Sequence, residues 1–290
     1  MGGTAKLGVR QARRLAVVGA VLAPALYFAP IPTLFLLGCG ALDVSRHHNL
    51  TRTLASEYFT GKGLLTWLLS PINLVADLLS RTPRRTERMS DLTPACRGEI
   101  EDCVEAFLAN KDRLVEAIRP HAEAHRRVML AFKWFGAPLP TDLGIAAFER
   151  KHRFVKTIAV SAFRGGEQTS WHFGPQRLTL RVLRNLEPTT SADVFVAIDD
   201  RVHRWQSDPL LIFDDTLFHR SVNNNDAIRY CLFLDVVRPS YFAPAFNAAI
   251  GTMSLMAGPF RSMFYRNWWF VRSRPTPRRA WSAQSIPGTG

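Results

Sequence analysis

Cysteine is scarce in this sequence, with four residues among 290, and no two of them form a C-x-x-C pair. The absence of that spacing excludes a zinc ribbon and a thioredoxin-like redox motif. The chain is also too long and too poor in cysteine for a disulfide scaffold, so reduced thiols in a reducing compartment are expected. No internal repeat is present. A hydrophobic content of 47% and a charged content of 21% exclude a disordered chain.

Acidic residues are nearly absent from three segments, and these segments explain the net charge of +13. Residues 1–14, 81–88 and 261–290 carry +4, +3 and +6, which accounts for the whole excess. Each segment adjoins an apolar stretch, a pattern more typical of a membrane surface than of a nucleic-acid groove. We therefore predict contact with a membrane surface through these basic flanks, and no nucleic-acid partner.

The longest uncharged run covers residues 15–42, which is long enough to cross about 30 Å of hydrocarbon. It is too long for a signal-peptide core and has no clear cleavage site. Pro24, Pro30 and Pro32 interrupt a helix midway. Because basic residues flank both ends, a re-entrant hairpin and a kinked span both fit, and a buried helical hairpin is the alternative. Residues 63–79 are predicted to be interfacial or to form the return leg of a hairpin.

The segment 81–95 is predicted to be a linker, and helices are predicted over 97–135, with one helical run that Pro120 ends. His121 and His125 have a spacing that can bind a metal on a helix, but no third ligand is near and a solvated helix is preferred.

The C-terminal part is apolar and aromatic up to residue 270, and four arginines follow. This pattern suits the headgroup zone of a membrane, with a helix docked on the core as the alternative. From residue 273 the chain is predicted to be disordered. The predicted domains are a membrane-associated anchor and linker (1–92), a catalytic domain (93–240, with its β core at 151–240) and an amphipathic, basic tail (241–290).

After residue 151 the sequence consists of short β-branched or aromatic segments separated by turn residues, which predicts an all-β sandwich or barrel. The segments are FVKTIAVSAF, LTLRVLRNL, DVFVAID, PLLIFDD and IRYCLFLDVV. Two units stand out in them, His172 with Arg181 and His219 with Arg229. Neutral imidazoles suit Fe(II), and an arginine inside a barrel can grip a carboxylate of a cosubstrate such as 2-oxoglutarate.

The motifs WHFGP, LTLRV, PLLIFDDTLFH and IRYCLFLDVVRP, over about 158–239, resemble the aspartyl/asparaginyl β-hydroxylase family of Fe(II)/2-oxoglutarate dioxygenases. That family includes bacterial membrane enzymes that hydroxylate acyl chains of lipid A and ornithine lipids. The resemblance implies an α+β protein whose core is a double-stranded β-helix (jelly-roll or cupin-like), preceded by helices and an N-terminal membrane anchor. It also implies Fe(II), 2-oxoglutarate and O2.

Several site residues follow from the resemblance. His172 and His219 match the iron ligands, and Arg229 matches the clamp on the distal carboxylate of 2-oxoglutarate. Ser161 matches a hydroxyl that assists the clamp, and Arg181 matches an arginine that supports the other end of the cosubstrate. The remaining matches are interpreted as structural: Asp214, Asp215 and the ending Arg238-Pro239.

Two positions depart from the lipid A hydroxylases and from the usual family pattern. Gly174 stands where lipid A hydroxylases have an aspartate, as in peptidyl hydroxylases that bind iron with two histidines. Leu183 stands where the family usually has a histidine, and its polar contact near the cosubstrate is lost. By contrast, LLSPINLVADLLSRTP and KWFGAPLP resemble the layout of the lipid branch.

The function predicted from the sequence is a membrane-anchored hydroxylase that acts on an acyl chain of a membrane lipid. The expected location is the bacterial inner membrane, with the catalytic domain facing the cytoplasm. One alternative is a peptidyl aspartyl/asparaginyl β-hydroxylase, favoured by Gly174. The other is a catalytically impaired lipid-binding membrane protein, favoured by Leu183.

Overall fold

The computed structural model describes residues 2–81, 88–264 and 267–271, and the side chains of 11–81, 88–255 and 267–271. Nine α-helices lie within these ranges: α1 (Gly2–Phe28), α2 (Pro30–Val44), α3 (Arg52–Thr60), α4 (Leu64–Leu68), α5 (Ser70–Leu79), α6 (Pro94–Ala109), α7 (Lys111–Ala124), α8 (Ala146–Glu149) and α9 (Ala243–Phe264). A short 3-10 helix covers Met89–Asp91. The prediction of disorder after residue 273 and residues 82–87 of the predicted linker fall outside the described residues. The rest of the linker contains this 3-10 helix and the start of α6.

Eleven strands lie in the described ranges: β1 (Arg127–Trp134), β2 (Ala137–Pro138), β3 (Val155–Phe163), β4 (Glu167–Gln168), β5 (Thr179–Asn185), β6 (Val194–Ile198), β7 (Arg201–Arg204), β8 (Leu210–Phe213), β9 (His219–Asn223), β10 (Arg229–Val237) and β11 (Trp269–Phe270). The larger sheet has the order β11-β1-β3-β10-β5-β8, with β2 paired to β1, and the smaller sheet has the order β4-β9-β6-β7. All pairings are antiparallel except β1 with β11.

These two sheets, with helices before and after them, give the α+β jelly-roll architecture expected for the β core. The larger sheet separates two apolar layers, because successive side chains of a strand point to opposite faces. On its outer face, Leu232, Leu234 and Val236 pack against α6 and α7. On its inner face, Cys231 joins residues of the smaller sheet in a second cluster. All five predicted β segments contain a strand.

The prediction of helices over 97–135 is wrong at its C-terminal end, and the helical part is interrupted at a different residue than predicted. Its last part, Arg127–Trp134, is strand β1, which pairs with β3 and is buried on both faces. A continuous apolar run of this length fits a buried strand as well as a helix, and the sheet decides between them. The helical part is two helices that meet at Asn110, and Pro120 lies inside α7 rather than ending it.

No helix in the ranges 2–81, 88–264 and 267–271 has the combination of length and apolar character that crossing a bilayer requires. At the other end of the chain, Phe246 and Ile250 of α9 are buried against Ala76 and Val237. The first half of α9 therefore docks on the core, as the alternative reading of this segment has it. The arginines from position 272 onwards lie outside the described residues.

Candidate active site

His172 and His219 lie side by side, although 46 residues separate them. The amide of each donates a hydrogen bond to the carbonyl oxygen of the other, at 3.0 and 2.9 Å. This bridge joins the segment before β5 to the start of β9 in the smaller sheet. The ring centroids are 4.2 Å apart. The backbone pairing therefore brings the two predicted iron ligands together.

Each imidazole uses Nδ1 for a contact with a backbone carbonyl, so Nε2 is the nitrogen of each ring that can take a ligand, although Nε2 of His219 lies near Oδ1 of Asp215. Nδ1 of His172 contacts the carbonyl oxygen of Ser170 at 2.8 Å, and Nδ1 of His219 contacts that of Leu217 at 2.7 Å. Burial lowers the pKa of His172 to about 3, helped by His219, and lowers the pKa of His219 to about 4. A neutral ring whose Nδ1–H faces a carbonyl has its lone pair on Nε2, which is the form that ligates a metal. The pair therefore fits Fe(II).

The carboxylate nearest to the histidines belongs to Asp215, in the turn before β9. Its Oδ1 is 3.3 Å from Nε2 of His219 and 2.8 Å from Nη1 of Arg181. A Cβ built on Gly174 would overlap the carboxyl group of Asp215. Asp215 thus fills the space beside His172 that a side chain at position 174 would need. Asp215 was predicted to be structural only, and its place beside the histidines was not predicted, although its spacing of four residues from His219 could have indicated it.

Among the described side chains, no group of three or more His, Cys, Asp and Glu residues has the arrangement of a metal site. The site therefore offers two imidazole ligands with one carboxylate beside them, which is already engaged by Arg181.

We predict that Gly174→Asp, which restores the aspartate of the lipid A hydroxylases, destabilises this protein by about 1–3 kcal/mol because the new side chain overlaps Asp215. Urea unfolding measures the effect. Gly98→Asp is the control, since a side chain at that position meets open space. The double variant Gly174→Asp/Asp215→Gly should recover part of the loss. Full stability of Gly174→Asp together with tighter metal binding would contradict the placement of Asp215.

Arg229 is a buried cation, and no carboxylate of the described side chains lies beside it. Its Nη2 donates to Oγ of Ser221 at 2.7 Å, whereas Nε and Nη1 are buried without a hydrogen-bond partner. The guanidinium lies over the rings of Phe163 and Trp205, at 4.8 and 5.3 Å. No carboxylate of the described residues pairs with it, and burial lowers its pKa. Two guanidinium nitrogens without a hydrogen-bond partner, and a charge that no described carboxylate balances, fit a carboxylate ligand.

The distance from Arg229 to the histidines follows from its contact with Ser221. Ser221 comes two residues after His219 on the same face of β9, so their side chains are about 7 Å apart along the strand. A short dicarboxylate could therefore reach from the guanidinium towards the imidazole pair.

Ser161, which was predicted to assist the Arg229 clamp, makes its hydrogen bond to a backbone carbonyl instead. Its hydroxyl donates to the carbonyl oxygen of Cys231 at 3.2 Å. The hydroxyl that contacts Arg229 belongs to Ser221, which the sequence analysis missed. The alternation of β9 after His219 could have indicated Ser221, but the polar sequence HRSVN does not look like a strand.

Arg181 lies between two carboxylates. Besides Asp215, it contacts Oδ1 of Asp235 at 3.0 Å, and its guanidinium lies 4.0 Å from the centre of the Phe233 ring. Burial raises the pKa of Asp235 above its usual range, although Arg181 opposes this shift. Leu183 pairs with Phe233 and extends the apolar lining of the inner face, where the family usually has a histidine.

The turn that carries Asp215 and His219 is fixed by a group of buried or nearly buried charges, which we call the charge cluster. Its members are Asp43, Arg46, Asp77, Arg177, Asp214 and Arg238. Although burial disfavours its charge, Arg46, Arg238 and Arg177 hold the pKa of Asp214 well below its usual range. Oδ1 of Asp214 also accepts hydrogen bonds from the amide and hydroxyl of Thr216, at 2.9 and 2.6 Å.

Two facing antiparallel sheets with a histidine pair and a buried arginine between them define a double-stranded β-helix with a candidate metal and carboxylate site. Residues 145–239 match the model of the aspartyl/asparaginyl β-hydroxylases. Over that segment, which is about a third of the chain, the match confirms the resemblance inferred from the motifs.

A curated relative is the ornithine lipid ester-linked acyl 2-hydroxylase of Rhizobium tropici. It is 31% identical over 133 residues, which cover 42% of this chain and 47% of the relative, so the match spans about half of that protein's length.

Solved structures are more distant. The viral collagen prolyl hydroxylase vCPH of Paramecium bursaria Chlorella virus-1 has a TM-score of 0.30 at 11% identity, covering 54% of this chain and 95% of that one. A cupin 2 domain-containing protein of Halorhodospira halophila has a TM-score of 0.24 at 15% identity, covering 46% and 83%.

Proposed function

We propose that this protein is an Fe(II)- and 2-oxoglutarate-dependent hydroxylase that acts on an acyl chain of a membrane lipid. The observation that carries the proposal is the buried guanidinium of Arg229, which no described carboxylate balances. It contacts Ser221, two residues along β9 from one of the two neutral histidines. A buried cation without a partner is costly, and the carboxylate of a bound cosubstrate would offset that cost. The family match and the acyl 2-hydroxylase relative support the same activity.

The residues would divide the work as follows. His172 and His219 would hold the iron through Nε2, and Arg229 with Ser221 would hold the distal carboxylate of 2-oxoglutarate. When bound, iron, O2 and 2-oxoglutarate supply the chemistry that hydroxylates a C–H bond and yields succinate and CO2. Arg181 would keep Asp215 in place beside His219. The apolar lining, which includes Leu183 and Trp205, would exclude water.

The surroundings of the histidines favour an apolar substrate. Trp171 and Phe218, each directly before a histidine in the sequence, stack at 4.9 Å between ring centres, and Phe173 stacks on Phe218 at 4.7 Å. An acyl chain can pack along such a row of rings. The second candidate is a peptidyl aspartyl/asparaginyl β-hydroxylase, which is favoured by the absence of a carboxylate at position 174.

For location, we propose the cytoplasmic face of a bacterial inner membrane. The four cysteines are free and buried, which suits a reducing compartment. The basic flanks suit an anionic membrane surface.

The proposed function is tested with the full-length protein, Fe(II), 2-oxoglutarate and vesicles made from bacterial membrane lipids. We expect succinate to form together with a lipid that gains 16 Da. His219→Ala should abolish both products, whereas His121→Ala, on α7 outside the sheet, should retain them. A hydroxylated peptide with unchanged lipids would favour the second candidate. Absence of turnover with lipids and peptides would contradict both and favour a lipid-binding protein that has lost activity.

A further inference from the structure

Helices α1 and α2 fold back on each other at Ala29, where the backbone is not helical. Near the start of the hairpin, Arg14 pairs with Glu57 of α3 at 2.9 Å. Near its end, Asp43 accepts a hydrogen bond from Tyr58 at 2.5 Å. Arg14 and Asp43 therefore reach adjacent residues of α3 from opposite sides of the bend. Each leg has about 14 residues, so the bend lies about 20 Å from α3.

The bend of this hairpin is apolar and exposed. Tyr27, Phe28 and Ile31 are 80%, 81% and 80% exposed, and Leu34 and Phe35 are 60% and 62% exposed. No charged residue occurs over positions 15–42. A continuous apolar surface of this kind marks an interaction site, because its exposure to water is costly.

A second apolar strip lies on α4 and α5, next to α2. It consists of Leu64, Leu68, Ile72, Val75 and Leu78, all exposed by 41% or more. Their spacing of three and four residues puts them on one side of the helices. The opposite side of α5 buries Ser70, Asn73 and Ala76 against the core.

Basic residues surround the base of the hairpin, where it joins the rest of the molecule. Arg13 is exposed, Arg14 is partly exposed, and Arg52 and Lys62 are exposed on and after α3. The apolar bend would lie in the bilayer interior, and the basic residues at the base of the hairpin would lie at the level of the anionic headgroups. The order of apolar and basic residues along the hairpin therefore matches the order of layers in a bilayer. The hairpin is about 20 Å long, which is less than the hydrocarbon thickness of about 30 Å. Both ends of the hairpin would therefore stay on the same side of the bilayer.

We propose that residues 15–42 insert as a hairpin into an anionic lipid bilayer from one side, with the strip on α4 and α5 lying in the interface. The inner side of the hairpin faces the candidate active site, since Val18, Leu22 and Leu36 belong to the same apolar cluster as Phe173 and Phe218. If the proposed function is correct, an acyl chain could pass from the bilayer to the histidines along these rings. The insertion itself does not rest on that function.

The test is co-flotation of the full-length protein with vesicles of phosphatidylcholine containing 30% phosphatidylglycerol. We expect binding that Tyr27→Asp/Ile31→Asp reduces roughly a hundredfold, because two carboxylates would enter hydrocarbon. Val202→Asp, an exposed apolar position on β7, is the matched control and should bind normally. The protein should bind pure phosphatidylcholine vesicles more weakly than the anionic vesicles, because the basic residues at the base of the hairpin would find no anionic headgroups.

A fluorophore attached at Ile31→Cys reports the depth directly and should be quenched by lipids labelled within the acyl chains. Equal flotation of the tip variant and the control would overturn the proposal. The proposal would also be overturned if Tyr27→Asp/Ile31→Asp abolished self-association of the protein without changing its flotation. The apolar bend would then contact a second copy of the chain rather than a bilayer. Flotation needs no turnover, so an inactive protein that floats would reject the hydroxylase proposal and leave the insertion supported.

Discussion

Replacing Arg177 by methionine is expected to lower the free energy of unfolding by about 3–5 kcal/mol, because it leaves the buried carboxylate of Asp43 without its cation and removes one of the cations beside Asp77 and Asp214. Arg177 is fully buried. It pairs with Asp43 of α2, contacts Asp77 of α5 at 2.7 Å, and donates to Oγ1 of Thr216 at 3.0 Å. One side chain thus joins the N-terminal helices to the turn that carries His219.

Urea unfolding measures this loss, and Arg126→Met is the matched control. Arg126 is 82% exposed and lies 3.9 Å from Glu167, so its replacement should change stability by less than about 0.5 kcal/mol. Methionine keeps much of the volume of arginine and separates the loss of charge from the loss of packing. A loss below 1 kcal/mol in Arg177→Met would mean that the charge cluster does not hold these elements together.

Replacing Arg229 by alanine is expected to have opposite effects on cosubstrate binding and on the stability of the free protein. The 2-oxoglutarate concentration for half-maximal turnover should rise at least about thirtyfold, since losing one partner of a buried charge pair costs 2 kcal/mol or more. Without cosubstrate, the variant should be about as stable as the parent, because the side chain removed is a buried cation without an anion.

Thermal unfolding with and without 2-oxoglutarate, beside succinate assays, separates the two effects. The parent should gain stability with cosubstrate and Arg229→Ala should not. Arg164→Ala, at an exposed position after β3, should behave like the parent. An unchanged 2-oxoglutarate requirement in Arg229→Ala would reject the assignment of the clamp.

Local pattern was sufficient for much of the β core. The five segments rich in β-branched residues became β3, β5, β6, β8 and β10, because alternation and turn residues act over short distances. The same argument failed for Arg127–Trp134, whose apolar run fits a helix or a buried strand. It also failed for β9, in which the polar residues His219 and Ser221 face the inside of the site.

The sequence by itself determined that His172, His219 and Arg229 lie on the β core, and that the net positive charge lies in the flanks rather than in that core. Only the tertiary structure decided that Asp215 fills the space beside Gly174, that Ser221 contacts Arg229, and that Arg177 holds α2 and α5 to the catalytic turn. The physical reason is that these contacts join residues far apart in the chain. Their partners are chosen by strand register and by the need to balance buried charge, which no local pattern records.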